Sequence, residues 1–490
     1  MDKTKKFEPS FESLRRFECP DWFRDAKFGI WSHWGPQSVP MCGDWYARHM
    51  YVQGSPQYLY HLRHYGHPSR FGYKDICALW KAEKFDPEEL MKLYRRAGAR
   101  YFVGQAMHHD HFFNYPSKIN RFNSAQIGPK KDICGLWKSA ADKNGMPFGL
   151  TEHLGATFSW WRVNKGADSY GPLAGVPYDG NDPGYRDFYL ENHEHSAAPE
   201  APAPWYTSNV KFRDYWLSAI KEVIDLYTPD LLYSDGSLPF GEHWHNNEFG
   251  VSLNEAEYKW GLEAVAHLYN ASISKNGKNL AVYNQKSRAE EIYSVGVLDI
   301  EKSQLPGINL RPWQTDTCIG NWFYDAKQEF KKPLHIIEML IDIVSKNGTM
   351  LLNILQLPDG SIDGETLFIL EELAGWFAVC EKGIHKTRPW KTFGEGESKA
   401  LIEGFREVKT DWNSSDYRFT SRDNKLYAFM MGAVPDMSAV IKSIGEGEKV
   451  KAVTLLGHGD IPFSQPFGVL TVKLPPVLPT KYTNCIEITL

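Results

Sequence analysis

The chain has 490 residues, enough for a large hydrophobic core, and this length predicts two or three domains or one large barrel with an appendage. Lys and Arg number 55 against 60 Asp and Glu, so the net charge of -5 offers no basic field for a phosphate backbone and excludes nucleic acid as a partner. No apolar run of about 18 residues occurs, and the charged N-terminal stretch lacks an apolar signal core, so we expect a soluble chain without membrane insertion.

Short β-branched or aromatic runs recur along the chain, separated by longer segments of helical periodicity. This alternation is typical of βα units around a parallel sheet. It predicts eight strands, at residues 27–31, 100–107, 147–153, 231–236, 280–285, 297–302, 312–318 and 349–355.

Two of the intervening helices are well marked. Residues 211–227 place six apolar side chains on one face at spacings of three and four, namely Phe212, Trp216, Ala219, Ile220, Val223 and Leu226. A second helix is predicted after Asp86 and Pro87, a cap and a first-turn residue, and ends at Gly98. The links after residues 285 and 302 are too short for full helices, so we expect an irregular later half.

Eight strands predict a (β/α)8-like barrel of the TIM type, with a doubly wound open sheet as the alternative. In such a barrel the reactive side chains come from the C-terminal ends of several strands. Five of the predicted strands end in or contain polar groups suited to chemistry, which are Ser32-His33-Trp34, His108-His109-Asp110, Glu152-His153, Asp235 and Glu301. Their convergence favours the barrel.

The sequence pattern changes after residue 390. From about residue 395, short apolar runs alternate with Gly, Asp and Pro turns, which predicts a small antiparallel β-sandwich. We therefore divide the chain into a catalytic barrel domain at 1–390 and a β-sandwich domain at 391–490. The acidic, Gly- and Pro-rich stretch 165–206 is predicted to be a long loop over the barrel mouth.

Seven scattered cysteines form no CxxC pair, and an odd number cannot pair completely. We predict neither a disulfide framework nor a zinc site. Free thiols fit a reducing compartment, but a periplasmic or secreted protein whose signal has been removed can also carry them, so the compartment stays open. The oligomeric state is equally open.

Asp235 lies at the end of the apolar run LLYSDG, where a charged carboxylate is unexpected unless it has a structural or a chemical role. One interpretation is structural, since an Asp-Gly dipeptide commonly begins a turn. The other is chemical, since hydrolysis of a glycosidic bond uses two carboxyl groups on either side of that bond. Asp235 is then the nucleophile, which must stay ionised, and its partner is an acid with a raised pKa.

The histidines at 33, 108 and 109 invite a metal interpretation, because imidazole is a common ligand. No HExxH spacing occurs, and a sugar pocket needs neutral His donors as well, so we expect no metal. The aromatic content of 14%, with 17 Trp, also suits a pocket that stacks on a sugar face, although core packing explains many of these rings. Glu301 can equally be a solvated strand end.

Together these segments resemble family 29 of the glycoside hydrolases, the retaining α-L-fucosidases. The resemblance spans residues 20 to 390 and rests on the order of DWFRDAKFGIWSHWGPQSVP, DWYARHM, HHDHFFNYPSK, LLYSDG, PWQTDTCIGNW, SKNGTMLLNILQLPDG and TRPW. It implies a (β/α)8-like domain followed by a β-sandwich, no cofactor, and a fucosylated oligosaccharide or polysaccharide as substrate.

Matched motif by motif, the resemblance implies that Asp235 is the nucleophile and that Tyr233 is the aromatic residue two positions before it. The residues that it implies for fucose binding are His33, His108, His109, Trp45 and Trp322. The family's Glu-Trp-Tyr motif is here Asp44-Trp45-Tyr46, so one pocket acid is a methylene shorter, which puts the preferred sugar in question.

The resemblance implies an acid/base residue between the fifth strand and PWQTDTC, and Glu301 is our preferred candidate. Glu290 and Glu291 are alternatives, and Arg288 is a candidate for the family's pocket arginine. The expected activity is exo-acting release of terminal α-L-fucose by double displacement. Two other functions stay open: α-L-galactosidase activity in the same pocket, and a catalytically silent carbohydrate-binding protein.

Overall fold

Eight parallel strands close into a barrel in the computed structural model, which describes residues 6–191, 196–241, 255–400, 402–403, 406–407 and 409–490. Each strand lies within two residues of its predicted start. The strands are β1 Phe28–Ser32, β2 Phe102–Met107, β3 Phe148–Glu152, β4 Leu231–Ser234, β5 Val282–Gln285, β6 Val297–Asp299, β7 Trp313–Cys318 and β8 Gly348–Asn353. The predicted (β/α)8-like barrel is confirmed.

The barrel closes because β1 pairs with both β2 and β8, with Ile30 opposite Phe102 and also opposite Leu352. This pairing excludes the open doubly wound sheet. Every residue of β1 to β8 is buried, as expected for parallel strands with a filled interior on one side and a helix layer on the other. Trp31, Val103, Leu231, Tyr233, Val282, Val297 and Leu351 belong to one apolar cluster formed by these strands.

The helices that accompany the barrel are uneven in length, as a degenerate helix layer would be. They are α1 Phe11–Leu14, α2 Asp21–Ala26, α3 Tyr46–His49, α4 Pro56–His64, α5 Tyr73–Leu79, α6 Pro87–Arg96, α7 Ile133–Lys143, α8 Thr157–Trp160, α9 Arg186–Tyr189, α10 Val210–Tyr227, α11 Glu255–Asn276, α12 Glu290–Tyr293, α13 Pro333–Ser345 and α14 Gly364–Cys380. The side chain of Asp86 accepts from the backbone N–H groups of Glu88 and Glu89, which caps α6 as predicted.

Helix α10 buries the predicted apolar face with one exception. Phe212, Trp216, Ala219, Ile220 and Val223 are buried, whereas Leu226 is 46% exposed. The prediction for Leu226 was wrong because the last turn of α10 instead buries Tyr227, whose hydroxyl donates to Asp132 Oδ1 at 2.7 Å. Between β5 and β7 the chain forms only the four-residue helix α12, so the irregular later half is confirmed.

The C-terminal region consists of antiparallel strands. They are β9 Arg388–Glu395, β10 Ile402–Glu403, β11 Arg406–Glu407, β12 Tyr417–Arg422, β13 Lys425–Met430, β14 Ser438–Ile441, β15 Ala452–Leu455, β16 Gly459–Asp460, β17 Phe463–Ser464, β18 Leu470–Lys473 and β19 Asn484–Thr489. A six-stranded sheet, β16-β15-β19-β13-β12-β9, shares one apolar core with the three-stranded sheet β14-β18-β17. This is the predicted sandwich, and β9 spans the proposed domain boundary at residue 390.

A buried charge cluster joins the barrel to the C-terminal region. Asp342 of α13 contacts Lys346 Nζ at 2.7 Å and also forms a short contact with the Arg418 guanidinium of β12. All three side chains are at most 3% exposed. Because a buried carboxylate needs such partners, the cluster fixes where the six-stranded sheet lies against α13.

The stretch 165–206 was predicted to be a long loop over the barrel mouth, and its described part is anchored by two buried aspartates. Asp168 accepts from the hydroxyls of Tyr58 at 2.5 Å and Tyr178 at 2.7 Å. Asp179 accepts from the Tyr51 hydroxyl at 2.7 Å. These bonds hold the stretch against the region of α4 and α5. Within the described residues we find no helix with the length and apolar character to span a bilayer.

Candidate active site

A cavity of about 580 Å³ opens at the C-terminal ends of the barrel strands. This is the end at which barrel enzymes carry their chemistry, and the volume is that of an ordinary small-molecule site. The lining residues are Trp31, His33, Asp44, Trp45, His49, His108, His109, His153, Trp205, Tyr233, Asp235, Lys286, Glu301, Asp316, Trp322 and Phe323.

All nine site residues predicted from the sequence line this cavity, although their individual roles stay predictions. Seven further residues line the cavity, and Lys286 and Asp316 are the most consequential of those that the sequence did not single out, whereas His153 was among the predicted polar strand ends. The alternatives for the acid and for the pocket cation lie outside the cavity: Glu290 pairs with Arg311 in an exposed ion pair, and the Arg288 side chain is exposed.

Asp235 reaches the cavity because β4 ends at Ser234 and the chain turns immediately afterwards. Gly236 has a φ of 108°, a conformation that disfavours a side chain, and a Cβ there would lie 2.5 Å from the Tyr206 hydroxyl. The glycine therefore allows the turn, and the carboxylate before it projects from the strand end. The geometry is compatible with both interpretations of this Asp-Gly pair, the structural turn and the chemical role. The turn at Gly236 is what directs the Asp235 carboxylate into the cavity.

The Asp235 carboxylate is surrounded by donors. Its Oδ1 lies 3.1 Å from Lys286 Nζ, and its Oδ2 lies 3.3 Å from His109 Nε2 and 3.4 Å from His153 Nδ1. Burial alone would raise the pKa of Asp235, but the Lys286 ammonium and the two imidazole contacts outweigh it and hold the pKa well below its ordinary value. These contacts therefore favour the ionised form of Asp235, which is the form that a nucleophile requires.

Lys286 connects the two acids of the cavity. Its Nζ contacts Asp235 Oδ1 and, more closely, Glu301 Oε2, and it lies 3.8 Å from Asp316 Oδ2. Burial works against this ammonium, but the nearby carboxylates of Asp316, Glu301 and Asp235 raise the pKa of Lys286 well above its ordinary value. The lysine is only 7% exposed, so it stays charged inside the protein.

Beneath Lys286 lies a further pair of buried carboxyl groups, Asp299 of β6 and Asp316 of β7. Asp316 Oδ2 accepts from the Tyr233 hydroxyl at 3.1 Å, and Asp299 Oδ1 accepts from Gln314 Nε2 at 2.8 Å. The two carboxyl groups interact, since each affects the pKa of the other. Burial and the charge of Asp316 raise the pKa of Asp299 well above its ordinary value. Burial also raises the pKa of Asp316, although the Lys286 ammonium opposes that effect, so Asp299 is the stronger holder of a proton.

Three imidazoles line the floor of the cavity in neutral form. Burial, together with the neighbouring imidazoles, lowers the pKa of His33 and of His108 well below the ordinary value, and burial also lowers the pKa of His153. Gln37 fixes the tautomer of His108: its Oε1 accepts from the Ala47 N–H at 3.2 Å, so its Nε2 donates to His108 Nδ1 at 2.8 Å. The proton of His108 is then on Nε2, the nitrogen left for a ligand.

The spacing of these imidazoles would also suit a metal ion. One ligand atom each from His33, His108 and His153 lies within 4.8 Å of the others. A metal needs a lone pair from each ring, whereas the tautomer set by Gln37 offers an N–H from His108. Because a sugar hydroxyl accepts such a donor, the cluster fits a carbohydrate better than a metal ion.

Asp44 lines the cavity and holds its aromatic wall, which we define as Trp322 and the adjoining Phe323. Its Oδ1 accepts from the backbone N–H of Phe323 at 2.7 Å. Burial raises its pKa to about 6, against the opposing effect of that hydrogen bond. Asp44 thus changes charge within the range in which enzymes work. The Lys302 ammonium lies 4.9 Å from the Trp322 ring centroid.

Two residues at the cavity adopt left-handed backbone conformations without being glycine. Trp45 has a φ of 56° and Lys302, which follows Glu301, has a φ of 45°. Such conformations cost about 1–3 kcal/mol each and collect at functional sites.

Two of the predicted polar strand ends do not line the cavity. Asp110 accepts from the Tyr73 hydroxyl at 2.5 Å, and Glu152 accepts from Trp216 Nε1 at 3.0 Å.

Comparison with known proteins gives the same family throughout. A family model described as alpha-L-fucosidase matches residues 1–382. The tissue alpha-L-fucosidase of Rattus norvegicus is 25% identical over 487 residues, covering 97% of this chain and 90% of that protein. The tissue alpha-L-fucosidase of Homo sapiens is 25% identical over 491 residues, covering 97% and 89%.

The fold comparison agrees. The crystal structure of Thermotoga maritima alpha-fucosidase in complex with fucose matches with a TM-score of 0.73 at 23% identity, covering 99% of this chain and 100% of that one. A GH29 alpha-L-fucosidase from Bacteroides thetaiotaomicron matches with a TM-score of 0.66 at 16% identity, covering 96% and 94%. Because the family model covers well over half of the sequence, the chain belongs to the alpha-L-fucosidase family, family 29 of the glycoside hydrolases.

Proposed function

We propose that the protein is an exo-acting, retaining α-L-fucosidase that releases terminal α-L-fucose from an oligosaccharide or polysaccharide by double displacement. The observation that carries the proposal is the placement of Asp235 and Glu301 around one buried ammonium, Lys286, in a cavity at the C-terminal end of the barrel. The family to which the chain belongs supports the sugar.

In the first step Asp235 attacks the anomeric carbon and the bond from that carbon to the leaving oxygen breaks. Glu301 transfers its proton to the leaving oxygen, so the aglycone departs as an alcohol and Glu301 becomes a carboxylate. The product on the protein is an ester between fucose and Asp235. The low pKa of Asp235 supports this role, since only the ionised form is a nucleophile.

In the second step Glu301 takes a proton from a water molecule, which attacks the same carbon and breaks the ester. Asp235 leaves as a carboxylate and Glu301 is protonated again. One oxygen of Asp235 and one oxygen of Glu301 both contact Lys286 Nζ, so these two oxygens are less than about 6 Å apart. Retaining enzymes hold the two carboxyl groups about 5–5.5 Å apart and inverting enzymes about 6.5–9.5 Å.

Binding of the sugar would use neutral donors and aromatic walls. The neutral imidazoles of His33, His108 and His153 can bind hydroxyl groups without placing a charge beside them. Trp45 and Trp322 present flat rings for the apolar side of the ring and its methyl group.

The nucleophile is tested with Asp235→Gly on an aryl α-L-fucoside. We expect turnover to fall by several orders of magnitude while the fold persists, and azide to restore part of it by attacking in place of the carboxylate. The matched control is Asp423→Gly, since Asp423 is exposed and has a φ of 55° that glycine favours. Near-normal turnover by Asp235→Gly would contradict the proposal.

The acid/base is tested with Glu301→Ala. An activated aryl fucoside, whose leaving group needs little protonation, should lose less activity than a natural fucoside. Equal losses on the two substrates would point to another acid. Glu290→Ala is the control, because Glu290 lies outside the cavity and pairs with Arg311.

Asp44 favours one alternative substrate, an α-L-galactoside, and this alternative can be tested. The carboxylate is bound to the backbone of Phe323 and is one methylene shorter than the family's Glu, which leaves more room beside the sugar. Hydrolysis of aryl α-L-galactosides and α-L-fucosides by the same preparation separates the two activities. Labelling of the Asp235 peptide by a fluorinated fucosyl trap, seen as a mass shift, separates an enzyme from a silent binding protein.

A further inference from the structure

Lys286 is a buried cation with three negatively charged neighbours at different distances. Glu301 Oε2 is the closest, Asp235 Oδ1 lies at 3.1 Å and Asp316 Oδ2 at 3.8 Å. Asp235 and Glu301 have reacting roles in the proposed function, whereas Asp316 has none. The titratable groups that interact electrostatically with this ammonium lie on or after several strands and in the loop before α10, namely His33, His153, Tyr206, Tyr233, Asp235, Asp299, Glu301 and Asp316.

We propose that Lys286 is a mobile counter-ion that follows the negative charge between Asp235 and Glu301 during the reaction, and that Asp316 is its fixed partner throughout. This inference rests on the proposed function. It assigns Lys286 and the Asp299–Asp316 carboxyl pair as positioning residues.

The charges of the two reacting acids explain why a mobile cation is needed. Before the first step Asp235 is ionised and Glu301 must be protonated, so the single reactive charge is on Asp235. In the fucosyl ester Asp235 is neutral and Glu301 is ionised, so the single charge is on Glu301. Lys286 contacts both groups, and small shifts of its flexible stem keep it beside whichever is charged.

In the structure Lys286 contacts both acids at once. A protonated Glu301 offers the ammonium no negative charge, so Lys286 shifts toward Asp235 and Asp316 while Glu301 holds its proton. Asp316 gives the ammonium somewhere to go, because it is a buried carboxylate within 4 Å that does not react.

The pair Asp299 and Asp316 is assigned one proton and one negative charge. Asp299 Oδ2 and Asp316 Oδ1 are buried, and no N–H or O–H donor of the described residues bonds to either. Each carboxyl group affects the pKa of the other, and a single proton held by the pair would serve both bare oxygens. Because Lys286 Nζ lies 3.8 Å from Asp316 Oδ2, the charge is assigned to Asp316 and the proton to Asp299.

The test compares Asp316→Asn with Asp299→Asn by the pH profile of kcat/KM. Asp316→Asn removes the fixed charge, so Lys286 stays on the reacting acids and favours ionised Glu301. We expect kcat/KM to fall roughly 10- to 100-fold and the basic limb to move about one pH unit lower. Asp299→Asn keeps a donor toward Asp316 and an acceptor for Gln314. We therefore expect kcat/KM to change less than about threefold and the basic limb to stay at its wild-type pH.

Two results would overturn the inference: a basic limb of Asp316→Asn at the wild-type pH, or equal effects of the two variants. A merely structural Asp316 would lower activity without moving the limb. Infrared spectroscopy of the wild type and Asp299→Asn at neutral pH tests the shared proton without any activity. We expect the difference spectrum to contain the carbonyl band of one protonated carboxyl group, absent from an exposed-site control, Asp225→Asn.

These outcomes separate the inference from the proposed function. If the wild type hydrolyses no α-L-fucoside, or if Asp235→Gly retains activity, the proposed function fails while the infrared result still reports on the carboxyl pair. If Asp235→Gly is inactive and rescued by azide, and Asp316→Asn keeps the wild-type limb, only the counter-ion role fails.

Discussion

Asn353 ties Trp322 to the end of β8: its side-chain N–H donates to the Trp322 carbonyl oxygen at 2.8 Å. The same amide accepts from the backbone N–H of His33 through Oδ1 at 2.9 Å. One buried side chain therefore sets the relative position of an aromatic wall and an imidazole of the cavity floor. Asn353 itself does not line the cavity.

We predict that Asn353→Ala weakens sugar binding more than it slows chemistry. The change leaves a buried donor and a buried acceptor without partners, at about 1–3 kcal/mol each. The wall and His33 then lose their fixed spacing, so KM for an aryl fucoside should rise about tenfold or more, with a smaller change in kcat. Steady-state kinetics at one pH measures both.

Asn424→Ala is the control for this variant, because Asn424 is an exposed asparagine in the turn between β12 and β13. It should leave both constants unchanged. If Asn353→Ala lowered kcat strongly and left KM at the wild-type value, Asn353 would act on the reacting groups instead of the sugar site.

Asp44 should make ligand affinity depend on pH. Burial raises its pKa to about 6, so the carboxylate is ionised above that pH and neutral below it. An ionised carboxylate is the stronger hydrogen-bond acceptor, and we therefore expect free fucose, which does not titrate in this range, to inhibit more strongly as pH rises through 6. Inhibition constants between pH 5 and 7.5 measure the effect.

Asp44→Asn removes this titration and should give a flat profile over the same range. The backbone N–H of Phe323 keeps an acceptor in this variant, so the aromatic wall should stay in place. A pH-dependent limb near 6 that survives in Asp44→Asn would assign the titration to another group.

The cluster of Asp342, Lys346 and Arg418 should dominate the attachment of the C-terminal region. Asp342→Ala leaves two buried cations without their carboxylate, which costs about 3–5 kcal/mol of unfolding free energy. Asp142→Ala is the matched control, because Asp142 pairs with Lys138 on the surface and is 59% exposed, so the loss should be below about 1 kcal/mol. Urea unfolding measures both.

The stabilising effect of Asp342 has a defined pH range. Burial opposes its ionisation, but Lys346 and Arg418 outweigh burial and lower the pKa of Asp342. A lowered pKa in the folded state contributes stability above the unfolded value of about 3.9, and the contribution disappears as pH falls through the folded value. The difference between wild type and Asp342→Ala should therefore be constant from pH 7 to about 5 and shrink below pH 4.

The barrel could be predicted from the sequence because each strand is a short apolar run between turn residues and helices, and the side chains at several strand ends are polar. Local pattern determined the bounds of β1 to β8 to within a few residues. Leu226 shows the limit of this reasoning, since helical spacing cannot tell which of two adjacent residues, Leu226 or Tyr227, contacts a neighbour.

The site was predictable where chemistry coincides with a strand end or a motif, as for Asp235 and the histidines. Lys286 and Asp316 were not, because their significance comes from pairing across strands. Lys286 follows β5 and pairs with Glu301, which follows β6, and Asp316 of β7 lies 3.8 Å from the same ammonium. A lysine in the sequence NQKSR gives no signal of burial. The sequence gives no signal for Gln37 or Asn353 either, because each acts through hydrogen bonds to the residues that it positions.

Gln37 provides the sharpest test of the cavity floor, because one atom decides what His108 offers to a ligand. In the wild type Gln37 Nε2 donates to His108 Nδ1, and the neutral ring therefore presents an N–H at Nε2. Gln37→Glu keeps the acceptor for the Ala47 N–H but removes the donor. The neutral ring must then carry its proton on Nδ1, and Nε2 becomes an acceptor.

The new carboxylate also favours a doubly protonated His108, which again presents an N–H at Nε2. Burial and the neighbouring imidazoles hold the pKa of His108 well below its ordinary value in the wild type, so the wild-type donor does not depend on pH. In Gln37→Glu the pKa of His108 should rise. Activity should then approach the wild-type level at low pH and fall about tenfold as the extra proton is lost at higher pH, since one hydrogen bond is then missing. Gln37→Met, which offers neither donor nor carboxylate, should be weakened at every pH. A wild-type pH profile of kcat/KM for Gln37→Glu would mean that the Nε2 proton of His108 does not bind the sugar.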